Sequence, residues 1–277
     1  MQRDQGSSVA PARLTATRLG RVFFGLAVLA SGVQQVVLGD FVRLVPKVES
    51  GFPWPSLLAR PAGLALIAIG LAVLVGWQGR RAALLLAAML LVSFFLLQLP
   101  RAAKDPLTGF LWTNPLKGLA LVGGCLVLAR TFSAGASGGP SEGGVLRRQA
   151  IPWSRALLGL FLVVCGLQHF VYNDFVARMV PAWIPHPTFW ACFTGVALIA
   201  GGVGIVGPAT RRWAALATGG MLLSWVVLLH IPRALADPGN AGETSGIFEA
   251  LALSGVAFLL AANGRRTGTS EASGDAA

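Results

Sequence analysis

The chain has 277 residues, 55% of them hydrophobic and 12% charged, with a mean hydropathy of +0.68 and a net charge of +11. A soluble domain carries about 25% charged residues, so a water-soluble globule is excluded. The basic residues fall singly or in pairs between apolar runs rather than along one face, which excludes nucleic acid as a partner.

In chain order, a polar tail over residues 1–18 precedes uncharged runs from Arg21 to Asp40, Arg60 to Arg80 and Arg81 to Arg101. Each is long enough to cross about 30 Å of hydrocarbon as a helix. Spans are predicted at 19–38, 57–77, 81–99 and 111–130, making a first four-helix unit over 19–131. The first span has the basic flank of a signal peptide, but its pattern recurs later as an internal span, so it reads as a retained helix. A Gly/Ser-rich segment, "SAGASGGPSEGGVLRR", forms a cytoplasmic linker over 132–152. A second unit over 153–263 has spans at 155–172, 187–207, 211–231 and 246–262, and a polar tail closes the chain at 264–277.

The two units are copies of one another. At an offset of 134, Gly32 matches Gly166, Gln34 matches Gln168 and Asp40 matches Asp174; at 132, Met89 matches Met221, Pro100 matches Pro232 and Asp105 matches Asp237. An even number of spans per unit makes the repeat parallel. The expected fold is therefore all-α and polytopic, with eight transmembrane helices in two parallel, pseudo-symmetric four-helix bundles. Basic pairs such as Arg80–Arg81 and Arg211–Arg212 lie on the same side as both termini. The positive-inside rule makes that side cytoplasmic, in a cell (plasma) membrane.

Within each copy, Pro/Trp segments, "GFPWPS" and "PAWIPHP", are too polar to span and are expected to lie at the interface or re-enter, with Trp54, Trp183 and Trp190 at headgroup depth. Pro100 and Pro232 are expected to end the third helix of each copy, and Asp105 and Asp237 to start a turn. Cys125, Cys165 and Cys192 sit singly in apolar spans and read as packing residues.

The second copy, with "GLQHFVYNDFVARMVPAWIPHPTFW", "TGVALIAGGVGI" and "LLHIPRALADP", resembles the DoxX-like family of four-helix membrane proteins. The resemblance covers 155–262 well and 21–130 more weakly. It implies two fused DoxX or DoxD-like units and a redox-associated membrane role, with a redox partner protein. It carries no catalytic residue onto this chain.

All three histidines lie in the second copy. Counting 1.5 Å per residue, His169 sits about 21 Å beyond Arg155, His230 about 27 Å beyond Arg212, and Glu249 about 24 Å from Arg265, which places them in one layer near the outer leaflet. His186 lies in the segment that caps this layer. The first copy has Gln35, Trp54 and Gln98 at the corresponding positions, so the scaffold does not require imidazole. One reading makes His169 and His230 ordinary hydrogen-bonding residues near helix ends. Another has them donate to a quinone, flanked by Phe170, Tyr172 and Trp225. Haem ligation by His169 and His230, or a metal held with His186 and Glu249 or Asp174, is supported by no attachment motif or local spacing.

Lys117 and Glu249 occupy corresponding positions with opposite charge, and either pair across the two copies or separately reach the headgroups. Arg233 either forms an ion pair with Asp174 or Asp237 or binds an anionic substrate. The leading functional expectation is a redox-associated membrane subunit that binds a quinone at this polar layer. A small-molecule carrier and a non-catalytic assembly subunit are the alternatives. The almost wholly apolar cytoplasmic halves of the spans weigh against the carrier.

Overall fold

The computed structural model describes residues 5–42, 55–106, 108–133 and 144–263, and Trp54 lies outside them. Among the described residues there is no strand. Helices form at α1 (Gln5–Leu38), α2 (Pro55–Val75), α3 (Gly79–Ser93), α4 (Leu99–Lys104), α5 (Thr113–Ser133), α6 (Gly144–Val171), α7 (Asn173–Met179), α8 (Pro187–Val206), α9 (Arg211–Trp225), α10 (Ile231–Ala236) and α11 (Ala241–Ala262). Eight segments are long and apolar enough to cross a membrane, with α3 and α4 forming one of them and α9 and α10 another. Helix is what such sequences require, because a bilayer offers the backbone no hydrogen bonds. Large apolar side chains such as Val37, Leu96 and Leu235 are exposed on the outside of the bundle, where a lipid bilayer solvates them. The protein is an integral membrane protein.

The third and seventh spans run through their prolines, against the expectation that Pro100 and Pro232 end them. A π turn at Phe94–Gln98 and another at Val226–His230 precede the prolines. Leu99 and Ile231 donate their N–H groups five residues back, to the carbonyls of Phe94 and Val226. Widening the helix by one residue accommodates a ring that lacks an N–H and would otherwise crowd the preceding turn. Asp105 and Asp237 do start turns: their carbonyls accept the N–H groups of Thr108 and Asn240. Asn240 then caps α11, its Oδ1 accepting the Gly242 N–H at 3.0 Å.

Two helices form the centre. The spans containing α5 and α11 are 67% and 72% buried, whereas the other six are 28–39% buried. α5 packs on α3 of its own half and on α6 of the other; α11 packs on α9 of its own half and on α1 of the other; and α5 and α11 touch. The halves thus interlock, the last helix of each covering the first helix of the other.

Contacts recur at the sequence offsets. Gly32 of α1 abuts Gly63 and Ile67 of α2, and Gly166 of α6 abuts Gly195 and Ile199 of α8. Between halves, Gly255 of α11 meets Gly20 of α1, and Gly123 of α5 meets Ser154 of α6. At these four crossings the missing side chain lets one backbone approach another.

Candidate functional site

Among the described residues, most of the buried polar side chains, including Gln35, Gln98, Lys117, Ser245 and Glu249, lie toward the end of the bundle opposite the termini, called distal here. Its centre is an ion pair between the two innermost helices. Lys117 Nζ of α5 lies 2.7 Å from Glu249 Oε2 of α11, and the two side chains are only 11% and 10% exposed. The second carboxylate oxygen, Oε1, is buried and has no hydrogen-bond partner in the protein.

On either side of this pair the halves are fastened by glutamines. Gln34 of α1 donates its Nε2 to the Ala241 carbonyl at 2.9 Å and accepts from Ser245 Oγ at 3.0 Å. Gln168 of α6 donates its Nε2 to the Gly109 carbonyl at 2.7 Å and accepts from Thr113 Oγ1 at 2.9 Å. In both cases the carbonyl and hydroxyl are four residues apart at the start of the other half's last helix, so each amide spans one helical turn. The matched pair of glutamines in apolar spans is visible in the sequence, but its partners lie more than fifty residues away and no local spacing points to them. Gln34→Leu and Gln168→Leu should each cost about 1 kcal/mol and should add in the double variant, because the latches share no partner. Unfolding in mixed micelles measures both effects.

The histidines occupy three settings. His169 Nδ1 is 2.8 Å from the carbonyl of Cys165, one turn earlier in α6. A carbonyl only accepts, so Nδ1 carries the proton and Nε2 is left as an acceptor. The His169 ring stacks with Trp225 of α9, centroids 6.3 Å apart and planes 25° apart, and its Cβ lies over Gly195 of α8. His230 ends the second π turn and packs its ring on Gly246 of α11. His186 is exposed and caps α8 in a left-handed conformation, φ 57°. Among the described residues, no group of three or more His, Cys, Asp or Glu is placed to hold a metal ion.

Arg233 pairs with neither Asp174 nor Asp237. Its Nε and Nη2 bind the two carboxylate oxygens of Glu243 at 2.8 and 2.5 Å, because α10 ends beside the first turn of α11. This bidentate pairing occupies the Nε–Nη2 edge of the guanidinium. Asp174 is exposed in the first turn of α7.

Tyr172, just beyond α6, faces the other half. Its Oη accepts the Phe110 N–H at 3.3 Å, and its ring meets that of Phe110 edge-on. It lines a trough of about 470 Å³ on the seam between α5 and α6, walled by Trp112, Leu116, Val164, Leu167 and Val171. Leu167 and Val171 are exposed, so the trough opens sideways toward lipid.

Residues 16–99, which include most of α1, all of α2 and α3 and the first π turn, match the DoxX family model. The first half of the chain is DoxX-like. The DoxX match falls on the first half, where the motif resemblance is the weaker. Residues 158–245, in the second half, match a domain of unknown function (DUF8561). No curated protein and no solved structure matches the chain.

Proposed function

We propose that this protein is a redox-associated membrane subunit that receives a quinone-like ring in the trough between α5 and α6, on the outer-leaflet side of a plasma membrane with both termini cytoplasmic. The observation that carries the reading is the Tyr172 hydroxyl at the wall of an apolar trough open to lipid. A volume of about 470 Å³ suits a small ring compound, since such sites run from about 300 to 1,000 Å³. The neighbouring polar groups are occupied: Gln168 by Gly109 and Thr113, and the Trp112 Nε1–H by the Pro106 carbonyl. Tyr172 Oη accepts from Phe110 and keeps its own proton to donate to a ligand carbonyl, while the aliphatic wall takes the tail.

The test is quenching of tryptophan fluorescence by a short-chain quinone titrated into the reconstituted protein. Tyr172→Phe removes one hydrogen bond, which is worth about 1 kcal/mol, so affinity should fall about fivefold with the fold intact. Saturable quenching that ignores Tyr172→Phe, or no quenching, would refute this site. One observation favours a second reading as an assembly subunit: the interior is closed by its own side chains, with Trp225 stacked on His169 and both glutamines latched. Absence of any bound quinone would leave that reading.

A further inference from the structure

The contacts between the halves are of two kinds. The latches and the glycine crossings are indifferent to which half supplies them. Each glutamine needs one carbonyl and one hydroxyl, and Gly109 with Thr113 serves as well as Ala241 with Ser245. Two identical halves would satisfy them equally.

The seam between α5 and α11 is different, because corresponding positions face each other there, as at a two-fold axis. Lys117 meets Glu249, its counterpart at offset 132. Seven residues on, two turns along the same face, Gly124 meets its counterpart Val256. A Cβ on Gly124 would overlap the Val256 isopropyl group, which fills the space the glycine leaves. Two first halves would set Lys117 against Lys117 and leave a void between two glycines. Two second halves would set Glu249 against Glu249 and drive one Val256 into another. Both like pairings fail, once by charge and once by size.

We infer that the α5–α11 seam is a recognition surface that pairs unlike halves and rejects like ones, so that the partner of each half is the other half and never a second copy of itself. An ion pair sets the charge rule in a buried interface and a knob in a gap sets the size rule, the combination of attraction and exclusion on which specificity depends. One chain therefore contains a complete pair, and two chains exchange halves only crosswise.

The test uses the full chain with a protease site inserted in the 134–143 segment and an affinity tag on the N-terminus. After folding and cleavage in mild detergent, the second half should stay with the tagged first half. Lys117→Glu and Glu249→Lys alone should each release at least about ten times more of it, since each buries an uncompensated like-charge pair, and the double reversal should restore retention. Gly124→Val and Val256→Gly form an independent swap with the same pattern. Where a single variant does not accumulate, its yield is the readout, and recovery of yield in the matching double variant counts as retention. Single variants that hold the halves as tightly as the natural chain, or double variants that restore neither retention nor yield, would overturn the inference.

Discussion

Replacing Glu249 by leucine while Lys117 remains is expected to destabilise the protein by about 3–5 kcal/mol, and Lys117→Met should do the same. Either change leaves one charge about 90% buried with its partner gone, between the two most buried helices of the fold. The double variant, Lys117→Met with Glu249→Leu, should recover most of the loss. The pair itself contributes little beyond cancelling the cost of burying its own charges, and Glu249 Oε1 finds no second partner in the protein. The measurement is a double-mutant cycle by unfolding in mixed micelles. If the double variant cost as much as the sum of the singles, the two residues would be acting independently and the ion pair would not be what holds them.

The span count was legible because charge spacing reports hydrocarbon crossings directly, and eight segments of spanning length stand where the apolar runs lie. His169, His230 and Glu249 all lie in the distal halves of their spans. What depth arithmetic does not carry is rotation about the helix axis. Gln168 and His169 are neighbours in α6, yet one turns to α5 and the other to Trp225 of α9, because successive side chains point about 100° apart on a helix. The choice of Glu243 as the partner of Arg233 escaped for a related reason. Asp174 and Asp237 are close in motif or sequence, whereas Glu243 becomes adjacent only when α10 runs on past Pro232 to meet the start of α11. A proline read alone signals a stop, and the π turn that absorbs it has no local sequence signature.

The interlocking of the halves has the same origin. Internal similarity identifies corresponding helices but not which half covers which, and the two glutamine latches decide it by reaching from the first helix of one half to the last helix of the other. Those latches and the central ion pair occupy the same distal end as the trough. The trough lies on one of the two seams that the latches close, so its shape depends on how firmly Gln168 holds the start of α5.

The second large effect is expected at Gly166, where the smallest possible side chain should cost about 2 kcal/mol. A Cβ built there would stand 2.6 Å from the Gly195 carbonyl oxygen and 2.7 Å from Ile199 Cγ1, closer than carbon atoms approach such neighbours. The isoleucine has rotamers to spare, but the carbonyl belongs to α8 and moves only if the helix moves. Gly166→Ala must therefore push α6 from α8. That loosens the Gly159 crossing on Gly202, two turns away, and shifts His169 off Gly195 and Trp225. Gly32→Ala should behave alike, since its Cβ would meet the Gly63 carbonyl and the Ile67 nitrogen at 2.7 Å. Gly220 of α9 gives the contrast, with nothing within 4 Å of its Cβ position. Gly220→Ala should be neutral or stabilise by up to about 1 kcal/mol through helix propensity alone. The same one-carbon change then moves stability in opposite directions at Gly166 and Gly220. Equal effects at the two sites, measured by thermal retention of the monodisperse protein, would mean that the close crossing of α6 and α8 is not what sets their spacing.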